Sequence, residues 1–281
     1  MERKFVIKLV TVIVLFYSCL VVKAQKNNLQ NEHLIGKVKS VKEITYKSVE
    51  KFGEAGKEII DSITYVFNED GNKVEENKYK YKDGSLNEKL ISNYNDKGNM
   101  IEGNVYYNSD ENFAYKYTYK YNDKGNKMEE NTYNADGSLY KKSTFKYDDK
   151  GNNIEENGHE ADGSLGEKYS YKYDDKGNMI EHNCYKANGT LYRKFTFKYD
   201  DKGNKIEQNC YMANGMLSRK FTYKYNDKGN MIEQNGYNEY GSRDKKYTYK
   251  YEYDKNLNWI KQSVYLNEMP NEIKEREIIY Y

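Results

Sequence analysis

Alternating aromatic and polar residues recur in short runs along most of this chain. In one run, Phe195, Phe197 and Tyr199 alternate with Thr196 and Lys198. Successive side chains of a strand point to opposite faces, so this period of two predicts a β-strand with one apolar face. Near-copies of the run lie on both sides of it, and the same prediction therefore extends to most of the chain.

Reverse turns separate these runs. Asp-Lys-Gly-Asn follows at 201–204, where Gly203 is free to adopt a positive φ. A second strand, 206–211, leads to Ala-Asn-Gly-Met at 213–216. An Asn-Gly pair predicts a hairpin with a two-residue loop. The unit is therefore two short antiparallel strands and two turns.

An even number of residues in both loops predicts one consistent register. The predicted pairs are Tyr199–Ile206, Lys198–Glu207 and Phe195–Cys210 in the first hairpin, and Ile206–Tyr223, Glu207–Thr222 and Gln208–Phe221 in the second. The alternative, a type I turn with a glycine bulge at Gly203, sets Lys198 against Ile206 and mixes the faces. We favour the even register because apolar groups and opposite charges then meet across strands, each pair contributing roughly 0.2–1 kcal/mol.

The unit repeats with a fixed period. Turn glycines recur every 26 or 27 residues, with a degenerate last turn at 257–258, at Gly71, Gly98, Gly125, Gly151, Gly177, Gly203 and Gly229. Such a period indicates one supersecondary unit repeated along the chain. We predict an all-β fold, a long antiparallel meander of about 18 strands built from hairpin repeats. Open sheets above ~10 strands curl, split or flatten, so we expect a curled or partly closed single sheet with its aromatic side inward. A flatter layer with both faces wet is the alternative.

Composition supports a thin sheet rather than a conventional core. The chain has 33 tyrosines, and 32% of its residues are charged, so Leu, Ile and Val are too few to fill a large interior. Aromatic rings recur at equivalent positions of the first strand, at Tyr119, Phe145, Tyr171, Phe197, Tyr223 and Tyr249. Lysines and glutamates alternate on the opposite face, at Lys120, Lys146, Lys172, Lys198 and Lys224 and at Glu129, Glu155, Glu181, Glu207 and Glu233. Opposite charges thus lie beside one another across the sheet.

The first 24 residues have the pattern of an export signal. A basic start precedes a mostly apolar run, 9–22, and Val-Lys-Ala at 22–24 has the small-residue spacing of a cleavage site. The run is shorter than the ~20 residues that span a bilayer, so we expect no membrane span after cleavage. Lipid anchoring through Cys19 is the less favoured alternative, because 16–18 is a poor lipobox. We expect a periplasmic, outer-surface or secreted protein.

Four segments follow from these patterns. They are a signal peptide (1–24), an N-terminal capping segment (25–61), the hairpin array (62–265) and a C-terminal capping strand (266–281). We place the last turn around Pro270 and Asn271. Charged residues at 274–277 on the outermost strand discourage edge-to-edge aggregation.

Removal of the leader changes the charge balance. It leaves 42 basic against 43 acidic side chains, a net charge near −1. The basicity of the full chain belongs to the leader, and we predict no nucleic-acid partner.

Two stretches resemble the YD repeats of Rhs-type proteins, in which Tyr-Asp is followed three residues later by Gly and then Asn or Arg. They are Tyr-Lys-Tyr-Asp-Asp-Lys-Gly-Asn at 171–178 and Phe-Lys-Tyr-Asp-Asp-Lys-Gly-Asn at 197–204. The resemblance covers roughly residues 62–265. It implies antiparallel hairpins wound into a curled sheet or shell, and an association with carbohydrate. The chain lacks the large C-terminal toxin or protease-like core of large members, so we do not expect toxin delivery.

Motifs for catalysis are missing from the sequence. It has no Gly-x-Ser-x-Gly, no phosphate-binding glycine loop and no Gly-x-Gly-x-x-Gly. His159 and Glu160 begin like a zinc-protease motif, but Gly163 stands where the second histidine is needed. His33 and His182 are scattered, and His182 replaces the glutamine of equivalent units. We predict no enzyme, no metal site and no cofactor.

Cys184 and Cys210 occupy the same place in adjacent repeats. An oxidising compartment favours a disulfide. In a meander, however, equivalent sites lie two strands apart, roughly 9–10 Å at ~4.8 Å per strand and beyond the ~7 Å Cα limit. A parallel solenoid would permit the bridge. We predict two free, partly buried thiols.

Acidic turns recur at 148–149, 174–175 and 200–201. Their oxygens are of the type that calcium prefers, but the spacing of a calcium-binding loop is absent. Turn formation by Asp explains them, and we predict a structural role.

The tyrosines can have a structural role or a binding role. They pave and stiffen a sheet that has little other core, and an exposed row of rings beside Asn, Lys and Glu also suits stacking on a sugar or contact with a protein. The predicted binding surface comprises Tyr133, Tyr185, Tyr211, Tyr237 and Trp259. The function hypothesis is a non-enzymatic exported scaffold that binds glycan or another envelope component. The alternative is a structural or protein-interaction module of an Rhs-type secretion or contact-dependent system.

Overall fold

The computed structural model describes residues 28–32, 34–51, 54–80, 82–108 and 113–281. The predicted leader, Cys19 and His33 lie outside these residues. A short helix precedes eighteen strands: α1 (Asn28–Asn31), β1 (Val38–Lys51), β2 (Glu54–Phe67), β3 (Lys73–Tyr79), β4 (Leu86–Tyr94), β5 (Met100–Tyr107), β6 (Tyr115–Tyr121), β7 (Lys127–Asn134), β8 (Leu139–Tyr147), β9 (Asn153–Glu160), β10 (Leu165–Tyr173), β11 (Met179–Lys186), β12 (Leu191–Tyr199), β13 (Lys205–Met212), β14 (Leu217–Tyr225), β15 (Met231–Tyr237), β16 (Arg243–Tyr253), β17 (Trp259–Leu266) and β18 (Met269–Tyr280). Within the described chain, no helix has the length and apolar character needed to cross a bilayer.

The sheet closes on itself. Every strand pairs antiparallel with the next, and β1 also pairs with β18, from Val38–Tyr280 to Lys47–Glu272. The predicted all-β antiparallel meander is confirmed, but the sheet is more closed than predicted, because it is an 18-stranded barrel. Closure pairs the backbone groups that two edge strands would leave unsatisfied. Strand β18 is therefore not an outer strand.

The turns are not the predicted even-numbered loops. The Asp200 N–H donates to the Asn204 carbonyl oxygen (2.9 Å), and the Gly203 N–H donates to the Asp200 carbonyl oxygen (3.1 Å). With Gly203 at φ +84°, this is a three-residue loop, a type I turn followed by a glycine bulge. The loop between Met212 and Met216 has the same two hydrogen bonds. The predicted two-residue Asn-Gly loop is therefore wrong.

A second bulge restores the register in the hairpin of β12 and β13. Tyr199 pairs with Lys205 next to the turn, and the register then shifts so that Lys198 pairs with Glu207. The predicted pair Tyr199–Ile206 is wrong, since Ile206 is the extra residue of the bulge and is 37% exposed. The predicted pair Ile206–Tyr223 is not formed either, because the next ladder begins at Glu207. The other four predicted pairs are confirmed: Lys198–Glu207, Phe195–Cys210, Glu207–Thr222 and Gln208–Phe221.

The last turn lies earlier than predicted. Asn267 (φ 49°) and Glu268 (φ 73°) form a two-residue loop between β17 and β18, and Pro270 pairs with Tyr265 inside the strand. Positive φ at both central residues marks a type I′ turn, whose twist matches that of the strands. The predicted turn at Pro270 and Asn271 is wrong because proline is tolerated at the start of a strand.

Apolar burial is concentrated at the closing seam. Leu29 of α1 packs with Val38, Val41 and Phe67, and Ile278 of β18 lies against this cluster. Along the repeats, most side chains of both faces are half-buried. The seam therefore has the compact apolar packing that the repeats lack.

Tyrosine hydroxyls join neighbouring hairpins where the backbone ladder ends. The β13–β14 ladder stops at Glu207–Thr222, and beyond it the Tyr225 hydroxyl donates to the Lys205 carbonyl oxygen at 2.9 Å. The same bond recurs at 2.7–2.9 Å from Tyr94, Tyr121, Tyr147, Tyr173, Tyr199, Tyr225 and Tyr251 to the carbonyl oxygens of Lys73, Met100, Lys127, Asn153, Met179, Lys205 and Met231. Each hydroxyl supplies a cross-strand bond that the separated backbones no longer make.

We expect Tyr199→Phe to lower the free energy of unfolding by about 1 kcal/mol, because the Met179 carbonyl oxygen loses its donor. Tyr211→Phe is the matched control, since no hydrogen bond to the Tyr211 hydroxyl is found among the described residues. Urea unfolding followed by circular dichroism measures both. Equal effects of the two substitutions would contradict the bonding role.

Candidate functional site

The wall of the barrel has two chemically different faces. We call the side that carries Phe195, Phe197, Tyr199 and their equivalents the ring face, and the side that carries Lys198, Glu207 and their equivalents the charged face. The pairs Phe197–Gln208 and Lys198–Glu207 show the separation in one hairpin. The predicted division of rings and charges between the faces is confirmed only in part, because Lys127 and Glu130 lie among the rings and Tyr211 lies among the charges.

On the charged face, five glutamates each bind two lysines from the strands beside them: Glu129, Glu155, Glu181, Glu207 and Glu233. Glu207 contacts Lys198 at 2.9 Å and Lys220 at 2.7 Å, and Asn209 donates to it at 3.0 Å. Hydrogen bonds from Lys220 and Lys198 lower the pKa of Glu207 to about 2, although partial burial opposes them. Glu129 and Glu155 have the same arrangement and also a pKa of about 2. Each such group crosses three strands.

Four of the five predicted binding residues lie in one row on the charged face. Their partners across the hairpins are lysines: Tyr133–Lys116, Tyr185–Lys168, Tyr211–Lys194 and Tyr237–Lys220. All four rings are half-buried. The structure therefore brings these tyrosines together as a periodic row beside ion-paired lysines.

A shallow groove of about 290 Å³ lies beside Tyr211. Its lining is Leu191, Lys194, Thr196, Tyr211, Met212, Ala213 and Gly215. The Lys194 ammonium is held by Glu181 at 2.6 Å and so has a fixed position. A ring, a positioned cation and a hydroxyl in one groove provide both a stacking surface and hydrogen-bond donors.

Trp259 lies apart from the four tyrosines, on the ring face near the seam. It pairs with Tyr253, and the Arg276 guanidinium carbon lies 3.5 Å from the centre of its ring. Arg276 also donates to Glu43 at 2.8 Å. These contacts tie Trp259 to the closing strands, so it does not extend the tyrosine row.

Three lysines at equivalent repeat positions, Lys73, Lys127 and Lys205, lie over rings on the ring face. The Lys205 ammonium lies 5.5 Å from the centre of the Phe197 ring and 5.1 Å from that of Tyr223, and it donates to Gln208 at 2.9 Å. Burial lowers the pKa of Lys205. These lysines were not among the predicted site residues, although their place directly after the Gly-Asn of the turn, three residues before Glu or Gln, was a usable signal.

Tyrosines on the ring face are withdrawn from water. Desolvation raises the pKa of Tyr223 and Tyr249 to about 12. By contrast, the Lys198 side chain on the other face is 68% exposed. On that same face the Glu207 side chain is only 15% exposed, so exposure varies within the charged face.

A histidine and a cysteine also lie on the ring face. His182 stacks on Phe195 at 5.4 Å between centroids, and its Nε2 is 3.5 Å from the Cys184 sulfur. Burial lowers the pKa of His182 and raises that of Cys184, so both groups are neutral near pH 7. Cys184 and Cys210 are free, as predicted, and β12 separates their strands.

The described residues contain no group of three His, Cys, Asp or Glu side chains placed to hold a metal ion. The acidic turns use their oxygens internally. Asp174 accepts the backbone N–H of Lys176 (3.0 Å) and of Asn178 (2.8 Å), and the Asn178 amide (2.9 Å). These bonds agree with the structural role predicted for the turns.

Comparisons with known proteins give no family. No family model and no curated protein matches this chain. Among solved structures, a porin-like protein from Bacteroides uniformis is similar with a TM-score of 0.47 and 10% identity, over 86% of this chain and 98% of that one. A porin-like protein from Bacteroides vulgatus has a TM-score of 0.38 and 12% identity, over 87% and 98% of the two chains. The Tc holotoxin pore of Photorhabdus luminescens has a TM-score of 0.30 and 12% identity, over 81% of this chain and 15% of that one.

We expect the charged face to lose its stabilising effect in acid. A carboxylate whose folded-state pKa of about 2 lies below its ordinary 4.5 stabilises the fold above pH 4.5, and the effect is lost as the pH falls through 2. Glu207→Gln should therefore reduce the loss of unfolding free energy between neutral and acidic pH. Urea titrations across this range measure it, with Glu239→Gln in an exposed turn as the control. An unchanged pH dependence in Glu207→Gln would contradict this assignment.

We expect Gln208→Glu to stabilise the barrel by about 1 kcal/mol, because Lys205 then gains a charged partner such as Glu130 provides for Lys127 at 2.6 Å. Gln234→Glu is the matched control. Its neighbour three residues earlier is Met231, so the new carboxylate lacks a cation there and should destabilise by about 1 kcal/mol or more. Thermal unfolding of both variants provides the comparison. A lower melting temperature in both variants would contradict the predicted pairing of Lys205 with the new carboxylate.

Proposed function

We propose that this chain is a non-enzymatic, exported scaffold that binds a glycan or another envelope component on its repeat surface. The observation that carries the proposal is the tyrosine row with its groove at Tyr211. A ring beside a fixed ammonium and a hydroxyl suits the apolar face and the hydroxyl groups of a sugar. Equivalent positions two strands apart, roughly 9–10 Å, offer a periodic polymer several contacts at once.

The ring face is the inner face in this proposal. Desolvation of Tyr223 and Tyr249 supports this orientation, as do the charged-face lysines that extend into solvent. The tyrosine row then lies on the outside, where a long polymer reaches it.

The scaffold stands in water rather than in lipid. A membrane-spanning strand has about 9–11 residues and an apolar outer band. Strands β3 to β15 have seven to nine residues, and the charged face carries ion pairs such as Lys198–Glu207 along its length. The ring face carries Lys127, Glu130 and Lys205, so it offers no continuous apolar band either.

Export and carbohydrate association rest on sequence. The pattern of residues 1–24 supports export, and the resemblance of 171–178 and 197–204 to YD repeats supports carbohydrate as the ligand class. The same resemblance favours the second candidate, a structural or protein-interaction module of an Rhs-type secretion or contact-dependent system.

A glycan array and an envelope pull-down with the mature chain test the proposal. We expect binding that the double variant Tyr185→Ala/Tyr211→Ala weakens about tenfold or more, since two stacking surfaces are lost, each contributing roughly 1 kcal/mol. Tyr240→Ala is the control, because Tyr240 is 83% exposed in a turn outside the row. A pull-down of protein without glycan would favour the second candidate. Absence of both kinds of ligand, or an unaffected double variant, would overturn the proposal.

A further inference from the structure

The repeats contain several versions of one site on the ring face. The site combines the first residue after Gly-Asn with the residue three positions later. The two residues are a lysine and a glutamate in the pairs Lys73/Glu76 and Lys127/Glu130. In the pair Lys205/Gln208 a glutamine replaces the glutamate. In one unit the lysine is replaced instead and the acid remains, at Asn153/Glu156.

The lysine-filled versions show what the site accommodates. The Lys127 ammonium lies 4.5 Å from the centre of the Phe145 ring, 5.4 Å from that of Tyr119, and 2.6 Å from Glu130. The Lys205 ammonium lies between Phe197 and Tyr223 in the same manner. Two ring faces and one oxygen acceptor thus hold a primary ammonium in each unit.

The unit that contains Asn153 keeps the two aromatic rings and the oxygen acceptor of the site. Phe145, Tyr171 and Glu156 precede Phe197, Tyr223 and Gln208 by 52 residues, which is two repeats. The strand register is the same in the two units, because Phe145 pairs with Glu156 as Phe197 pairs with Gln208. The Tyr171 hydroxyl donates to Glu156 at 3.2 Å, as the Tyr223 hydroxyl donates to Gln208 at 3.4 Å.

The cation is what this unit lacks. Asn153 is too short to reach as lysine does, and its Oδ1 is buried without a hydrogen-bond donor among the described residues. No ion pair to Glu156 is formed by the described part of the chain, whereas Glu76 and Glu130 each bind a lysine. We call the space bounded by Phe145, Tyr171, Asn153 and Glu156 the 153 slot.

The rim of the barrel beside this slot is acidic. A groove of about 510 Å³ lies between the turns at 148–152 and 174–178, and Tyr171 lines both the groove and the slot. Four aspartates, at 148–149 and 174–175, line the groove against two lysines, Lys150 and Lys172. This excess of negative charge attracts cations toward Glu156.

We propose that the 153 slot binds a primary ammonium group from outside the chain, carried by a small alkyl amine or an amino sugar. Ring faces attract the cation, and the Glu156 carboxylate neutralises it. The site is separate from the tyrosine row, which lies on the other face.

Isothermal titration of the mature chain at low salt tests the slot, with 1,5-diaminopentane, glucosamine and neutral N-acetylglucosamine as probes. We expect one equivalent of an amine to bind and N-acetylglucosamine not to bind. Binding of the diamine alone identifies an alkyl amine as the ligand class, and binding of glucosamine alone identifies an amino sugar. Glu156→Gln should weaken the binding about tenfold or more, because the opposite charge is lost. Asn153→Lys should abolish it, since the new side chain fills the slot as Lys127 fills its own.

A gain of binding provides the second test. The double variant Lys205→Asn/Gln208→Glu reproduces the 153 slot between Phe197 and Tyr223, and we expect the stoichiometry to rise from one to two. Gln208→Glu alone keeps Lys205 in place and should still show one equivalent. Tyr211→Ala should leave amine binding unchanged, so failure of the proposed glycan site and failure of the slot are distinguishable.

Three results would overturn the proposal. They are no heat of binding for either amine at millimolar concentration, equal binding of N-acetylglucosamine, and amine binding that Asn153→Lys leaves intact. The melting temperature of Asn153→Lys is also measured, to show that the variant folds. A lysine paired with Glu156 should raise that temperature. A fall in the melting temperature would count against the slot.

Discussion

The closed ladder of backbone hydrogen bonds is the constraint on which this structure depends. The cluster of buried apolar side chains around Val38, Val41 and Phe67 lies at the seam, whereas the repeats bury only scattered ones such as Phe145, so the repeats are stabilised mainly by pairing with their neighbours. A sheet of this kind is vulnerable at its edges, where backbone groups are unpaired. Pairing of β1 with β18 removes both edges, and the ion pair of Glu43 with Arg276 lies on that seam. The tyrosine hydroxyls extend the same principle to the ends of the strands.

Paired bulges preserve the identity of the two faces. A three-residue loop alone would move every following side chain to the wrong face. The bulge at Ile206 reverses this shift within two residues, so Lys198 still meets Glu207. Lys198 and Glu207 therefore remain on the face opposite Phe197, and the two proposed sites lie on opposite sides of one wall.

Period, strand number and face composition were predictable from sequence because they follow from side-chain alternation and turn spacing. Loop geometry was not, since an even loop and an odd loop with a compensating bulge lead to the same pair, Lys198–Glu207. Closure depends on contacts between residues more than 200 positions apart, such as Glu43 and Arg276, for which periodicity contains no signal. Four of the five predicted binding residues form the tyrosine row, whereas the fifth, Trp259, lies on the other face. The lysines whose ammonium groups lie over rings, such as Lys127 and Lys205, were missed because these contacts depend on rings from two other strands.

Ring closure also limits how this architecture can change in size. Each repeat contributes one upward and one downward strand, and β1 meets β18 in antiparallel orientation. Duplication or loss of a whole repeat keeps the strand count even and allows the two ends to meet again, with a wider or narrower circumference. Loss of a single strand would bring the ends together in parallel orientation, where the present hydrogen-bond pattern does not fit. Such barrels are therefore expected to evolve in steps of two strands.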